Sequence, residues 1–220
     1  WGFVLKICLA DNLNDYVDNY ISSPLKYQPS TIFFSIIFFG FQLYADFAGY
    51  CLIAVGIFKL IGFNFVSNFN LPYNCSSFSD FWKRWNISLS NFFRDYLYIP
   101  LGGNRCSKFR YAFNILLVMF FAGIWHGSSI LFIGWGLIHG CLLIIENLFI
   151  IKTINHKLLN FLRRIVTLLI IFLLWLPFKI IDFNIIKSIL ENSINYNLLN
   201  LFLIDGKIFF IKNILLTKYY

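Results

Sequence analysis

From Tyr111 to Ile151 about forty residues pass without a basic side chain, twice the roughly twenty needed to cross a bilayer core. Such a run predicts two membrane spans joined by a tight turn, with Gly123, Gly127, Ser128 and Ser129 marking the break. It has company. Residues 31–63 are apolar apart from Gln42, Asp46 and Lys59, long enough for one tilted span or a broken pair. A further span is expected over residues 165–181, with Pro177 near its end. The chain is 59% hydrophobic and 13% charged, with mean hydropathy +0.72, whereas a soluble domain is about a quarter charged. The expected class is all-α: a multi-pass transmembrane protein in contact with membrane lipids.

A net charge of +8 invites a nucleic-acid reading, but its placement argues otherwise. Lys83, Arg84, Arg94, Arg105, Lys108 and Arg110 fall in residues 63–110, and Lys152, Lys157, Arg163 and Arg164 in residues 151–164. Ten of the 18 basic residues thus occupy two loops. Two crossings between them return the chain to its starting side, and the positive-inside tendency assigns that side to the cytoplasm. No nucleic-acid partner is expected. The five cysteines, Cys8, Cys51, Cys75, Cys106 and Cys141, are scattered without the paired spacing of a zinc site, so no metal is expected.

Residues 1–30 combine a short apolar run, Phe3 to Ala10, with Asp11, Asp15, Asp18 and Pro24, and read as an interfacial segment too short to span. Residues 77–98 read as an amphipathic helix lying at the membrane surface or dipping into it. Ser77 with Asp80 gives it a capping-box-like start, and Phe78, Phe81, Trp82, Trp85, Leu89 and Phe92 recur at helical spacing. Pro100 and Gly102-Gly103 end the pattern. Gly102-Gly103-Asn104-Arg105 reads as a tight basic turn. Past Asp182, Leu198–Ile204 and Ile208–Leu216 could form a last membrane segment.

An ionisable group inside a bilayer is expensive and usually faces a partner, cavity or pathway. Asp46, His126, His139 and Glu146 are such groups. Asp46 shares a helix face with Gln42 and Gly49, where it either accepts hydrogen bonds from a neighbouring helix or lines a reaction cavity. His126 and His139 sit in two copies of one frame, Gly123-Ile-Trp-His126-Gly127 and Gly136-Leu-Ile-His139-Gly140. Close backbone packing explains the glycines. It does not explain a histidine beside them twice in a chain with three. Imidazole takes a proton near neutral pH and suits a general base acting on a hydroxyl; an interhelical hydrogen-bonding role stands beside that reading. His156 lies in a basic loop and reads as solvated. The chain has no G-x-S-x-G, no G-x-x-x-x-G-K-[ST] and no H-E-x-x-H, which disfavours hydrolase, ATPase and metalloprotease chemistry.

Several strings taken together resemble a known family. They are Gln42-Leu-Tyr-Ala-Asp46-Phe-Ala-Gly49-Tyr50, Asp80-Phe-Trp82-Lys-Arg84-Trp85-Asn86-Ile-Ser88-Leu-Ser90, Arg94-Asp95-Tyr96-Leu-Tyr98-Ile-Pro100-Leu-Gly102-Gly103-Asn104-Arg105, and the two histidine frames with Trp125 and Trp135. The chain is similar over residues 2–182 to the membrane-bound O-acyltransferases, in the branch of alginate and peptidoglycan O-acetyltransferases. The resemblance implies that residues 1–220 are the central and C-terminal part of one such membrane domain, with N-terminal spans missing. It implies a bowl of helices around a tunnel in the cell inner membrane, with His126 at the centre. An acyl thioester such as acetyl-CoA would be the donor, with no cofactor bound, and hydroxyls of an alginate-like or peptidoglycan polysaccharide would be the acceptor. An exported acetyltransferase partner is expected.

In that reading His126 is the general base and His139 a second catalytic or positioning group. Asp46, Trp85, Asn86, Arg94 and Trp125 form the substrate or donor environment, with Lys83 and Arg94 suited to donor phosphates or lipid head groups. One position departs from the pattern: family members usually carry histidine where this chain has Asn86, which cannot take a proton near neutral pH. The competing expectations are a transporter or channel lined by Asp46, His126 and His139, and an inactive remnant of the family.

Overall fold

A computed structural model describes residues 1–148 and 157–194. All regular structure among the described residues is helical. The chain forms two compact units, one of residues 1–53 with the chain from Phe178 on, the other of Ala54–Pro177.

In the first unit a π-helical turn, Val4–Ala10, runs into helix α1, Asp11–Ile21. Leu13, Val17 and Ile21, four residues apart, are its buried stripe. Helix α2, Pro29–Leu60, is one continuous element. Its 32 residues extend about 48 Å at 1.5 Å each, so it is the tilted single span rather than the broken pair. The face carrying Gln42, Asp46 and Gly49 is where the N-terminal helix packs. A Cβ at Gly49 would lie 2.9 Å from the Gly2 carbonyl oxygen. Lys6 Nζ donates to Asp46 at 2.6 Å, and Gln42 Nε2 donates to Asn14 Oδ1 at 2.7 Å. Lys179 pairs with Asp18 and lies 5.9 Å from the Phe39 ring centroid.

In the second unit the segment expected as one amphipathic helix over residues 77–98 is broken. Helix α3, Phe78–Trp82, stops; helix α4, Ile87–Phe93, restarts; and a π-helical turn, Arg94–Tyr98, follows. The break is at Asn86, whose φ of 41° lies in the left-handed region that ends a helix. Residues 68–70 hold it open: Ile87 N–H donates to Asn68 O and Asn70 N–H to Arg84 O. Helical periodicity continues across such a kink, so the pattern of apolar residues does not reveal it.

Helices α5, Lys108–Trp125, and α6, Ile130–Leu148, form the expected antiparallel hairpin. Its glycines have two separate jobs. A Cβ on Gly136 would fall on the Met119 carbonyl, and one on Gly123 on the Phe132 carbonyl, so these two let the backbones touch. Gly127 has φ 147° and makes the turn. Helix α7, Lys157–Leu174, begins earlier than expected and takes in Lys157, Arg163 and Arg164. Their long unbranched stems favour helix, so part of the basic loop 151–164 is helical. Lys152 and His156, and the apolar stretches after residue 194, lie outside the described residues.

Among the described residues, four helices are long and apolar enough to cross a membrane: Pro29–Leu60, Lys108–Trp125, Ile130–Leu148 and Lys157–Phe178. The exposed large side chains on them, Phe113, Phe121, Ile138, Ile145 and Val166 among others, suit a lipid environment.

Candidate active site

Five of the six tryptophans belong to the second unit and join one aromatic cluster with both spanning histidines. Trp135, on α6, is its hub: 2% exposed, with ring centroid 5.0 Å from His126 and 5.0 Å from His139. It also lies 5.8 Å from Trp82 and 6.0 Å from Trp175. Trp175 lies tilted at 4.7 Å from Trp85, which lies 5.5 Å from Phe81. Trp125 meets His126 edge-on at 4.8 Å. Edge-to-face contacts at these spacings add about 0.5–1.5 kcal/mol each beyond burial, so the cluster fixes both imidazole planes.

Two cavities open beside this cluster. The outer one is polar, about 830 Å³, with Lys83, Arg94, Asn104, Tyr111, Glu146 and Arg163 among its walls. The inner one is about 160 Å³, almost wholly apolar, with Leu89, Phe93, Val118, Met119, Ala122, His126 and Trp135 in its lining. Trp82, Ser90, Arg94, Tyr98, Ile115 and Leu143 line both. They form a neck between the two adjoining spaces, which together are the passage. Helix α5 runs along it, contributing Tyr111 and Ile115 to the outer part and Val118, Met119, Ala122 and His126 to the inner. The fifteen residues from Tyr111 to His126 give it a length of about 22 Å. Helix α6 supplies Glu146 and Leu143 outside and Trp135 inside, in the antiparallel order.

The outer mouth is organised by carboxylates. Glu146, from α6, accepts from the free N–H groups of Phe78 (2.7 Å) and Ser79 (3.2 Å) at the start of α3. A five-residue helix with unpaired N-terminal donors is thereby pinned to a spanning helix. The Ser77 hydroxyl accepts from Asp80 N–H at 3.1 Å, as the capping pattern predicts. The Asp80 carboxylate reaches back to Ser76 N–H at 2.9 Å rather than to Ser77, and pairs with Arg84 Nε at 2.8 Å. Burial alone would raise the Asp80 carboxyl; the Arg84 guanidinium and the Ser76 hydrogen bonds outweigh it and hold it below the usual carboxylate range. Arg94 forks onto Asp95 at 2.7 and 3.1 Å.

The residues expected at the site separate into groups. His126 lines the inner cavity, and Arg94 lines both cavities. Trp125 is 57% exposed and touches the site through the His126 ring. His139 is fully buried between Trp82 (5.2 Å) and Trp135, lines neither cavity, and has no hydrogen-bond partner on either ring nitrogen among the described residues. Trp85 and Asn86 are each 6% exposed and line neither cavity: Trp85 is packing, and Asn86 is the kink. Asp46 is in the first unit, an acceptor for Lys6 as the helix-packing alternative anticipated.

This chain's strings and geometry agree with what comparison finds. The pattern of the membrane-bound O-acyltransferase family matches residues 1–188. The chain belongs to that family. Within it, the chain is 39% identical over 180 residues to a probable alginate O-acetylase of Pseudomonas aeruginosa, covering 81% of this chain and 34% of that protein. It is 33% identical over 198 residues to a peptidoglycan O-acetyltransferase of Helicobacter pylori, covering 89% and 38%. It is also 33% identical over 130 residues to a teichoic acid D-alanyltransferase of Streptococcus thermophilus, covering 53% and 30%. The chain spans about a third of the length of these curated relatives. It is a helical chain of that family, with four candidate membrane-spanning helices among its described residues.

Reading the residues singly did not pick out Trp82, Trp135, Tyr98 or Arg163, and gave Glu146 no role. A signal for α6 was present: Trp135, His139, Leu143 and Glu146 follow at intervals of four, four and three, one stripe of one helix. Nothing comparable marks Arg163 or Tyr98, which reach the passage from separate elements.

Proposed function

We propose that the protein containing this chain is a membrane O-acetyltransferase that moves an acetyl group from a cytoplasmic acyl thioester toward hydroxyls of a cell-surface polysaccharide, alginate-like or peptidoglycan. His126 is the general base. It takes the proton of the acceptor hydroxyl as that oxygen attacks the thioester carbonyl, and returns it to the departing thiolate.

The observation that carries this reading is the passage: a basic polar mouth, a neck, and an apolar end at His126. Lys83, Arg94 and Arg163 suit the phosphates of a coenzyme-A-like donor. A neutral acyl head on a long arm suits the rest. Family membership favours acyl transfer over the transporter reading. The cytoplasmic placement of the basic mouth follows the positive-inside tendency, and an exported acetyltransferase partner would carry the group onward.

Teichoic acid D-alanyltransferases among the relatives make D-alanyl an alternative cargo. The inner cavity favours acetyl, because an ammonium placed against those apolar walls would be left desolvated and unpaired.

His139 acts as a positioning residue on this reading, holding Trp82 and Trp135, and through Trp135 the ring of His126.

The test is base-labile acetate on wall or secreted polysaccharide, in cells lacking their own enzyme and expressing the complete reading frame. Esters with the native protein and none with His126→Ala support the reading. Equal esters in both remove His126 as the base. No esters in either, with good expression and the partner present, favour an inactive remnant. Asn86→His then gauges that departure: a large gain marks Asn86 as damaging, and little change as tolerated.

A further inference from the structure

Four of the neck residues carry polar hydrogens: the Trp82 Nε1–H is buried without a partner among the described residues, and two others have their interactions assigned. Arg94 is engaged by Asp95, and the Ser90 hydroxyl donates to the Trp85 carbonyl at 3.3 Å. Tyr98 differs. Among the described residues its hydroxyl has no hydrogen-bond partner, although the side chain is half-buried and lines both cavities.

The backbone beneath Tyr98 is unusually well held. It closes the π-helical turn Arg94–Tyr98, a widened turn that re-aims its side chains. Its carbonyl accepts from Gly103 N–H at 2.9 Å. Gly103, at φ 55°, takes the left-handed conformation that this turn requires. The turn is in turn tied to α5 by the fully buried Asn114, whose Nδ2 donates to Leu101 O at 3.1 Å and Gly103 O at 3.3 Å. A phenol without a partner, mounted on a braced turn at a neck, is a poised donor rather than a packing ring. Burial pushes it up to about 12, so it keeps its proton throughout the working range.

Size brings it into reach of the chemistry. The inner cavity, about 160 Å³, is close to the ~150 Å³ of a cavity that holds one benzene. It accommodates about six heavy atoms, the size of an acetyl thioester head. Tyr98 and His126 both line this one small cavity, so a head that fills it meets both.

We propose that Tyr98 donates a hydrogen bond to the carbonyl oxygen of the acyl thioester. This rests on the acyl-transfer reading of the His126 passage given above. As the acceptor oxygen bonds to the carbonyl carbon, negative charge builds on the carbonyl oxygen and the Tyr98 hydrogen bond strengthens. The C–S bond then breaks, and the acceptor's proton passes by way of His126 to the thiolate. Tyr98 begins and ends protonated. A preorganised donor at a developing oxyanion typically supplies about 10²–10³ in kcat.

The complete protein in membranes, supplied with acetyl-CoA and a soluble acceptor glycan, provides the test. Tyr98→Phe is expected to lower kcat about a hundredfold, with donor KM and thermal unfolding unchanged within error. Replacing Tyr98 with fluorinated tyrosines preserves size while acidifying the phenol. Those variants should retain the rate near neutral pH and lose it as pH rises through the lowered phenol value. A packing role does not respond to phenol acidity. The proposal is overturned if Tyr98→Phe leaves kcat intact, if it changes KM alone, or if the fluorinated variants show no new alkaline limb. The fluorinated series also decides the matter should Tyr98→Phe fold poorly. Activity surviving in His126→Ala would overturn the underlying reading instead, so the two failures are distinct.

Discussion

The Trp135 indole stands 5.0 Å from the His126 imidazole at an interplanar angle of 89°, and its other neighbours include His139 at the same spacing. The two histidines are thus linked through an indole that cannot relay a proton. If His139 acts by packing, His139→Phe should keep most of the activity and leave the pH–rate profile unmoved, since it replaces two unpartnered buried nitrogens with carbon. His139→Ala opens a cavity and should cost about 3 kcal/mol in unfolding. Equal loss of kcat in Phe and Ala variants of similar stability would show instead that His139 transfers a proton.

Close contact between α5 and α6 gives a prediction with its own control. Gly136→Ala drives a Cβ into the Met119 carbonyl, and overpacking of that kind costs about 1–3 kcal/mol or more. Gly134, two residues earlier, has nothing within 4 Å of the same added atom. Gly134→Ala should be neutral or stabilise by up to about 1 kcal/mol through helix propensity. Thermal unfolding in detergent compares the two; the reverse order would contradict the packing described.

Glu146 ties α3 to α6 through two backbone N–H groups. Glu146→Gln keeps one acceptor but loses the charge. Amide exchange at Phe78 and Ser79 should speed up about tenfold, equivalent to about 1.4 kcal/mol, while exchange in the middle of α5 stays unchanged. Unchanged exchange at both positions would mean that the carboxylate does not hold α3.

The Asp80–Arg84 pair has a pH signature. The carboxyl is held below its ordinary value in the folded chain, so its contribution is present above about pH 4 and is lost as pH falls through the lower folded value. The stability difference between native protein and Asp80→Asn should therefore be largest near neutrality and shrink as pH drops from about 5 toward 3. A difference independent of pH would contradict a lowered carboxyl at Asp80.

Membrane residence and the α5–α6 hairpin were legible in the sequence because lipid imposes a length and a composition, and 41 residues without a basic side chain satisfy both. The glycine frame and the family strings singled out His126, which lines the inner cavity. The kink at Asn86 was not, since one left-handed residue leaves the periodicity of Phe81, Trp85 and Leu89 undisturbed. Charge alone does not mark a loop: Lys157, Arg163 and Arg164 carry long helix-favouring stems and lie within α7, before the span expected from residue 165. Trp82 and Tyr98 owe their place to how separate short elements meet, which no local pattern encodes.

The central claim is that the passage ends in a base at His126. Its most direct measurement is transfer of radiolabelled acetyl from acetyl-CoA to polysaccharide hydroxyls by membranes carrying the complete protein, comparing native and His126→Gln. Glutamine keeps a donor and an acceptor of similar size but takes no proton near neutral pH. The native protein should transfer label, and His126→Gln, folded and expressed equally, should fall by about 10²–10⁴-fold. Transfer at the native rate by His126→Gln would contradict it.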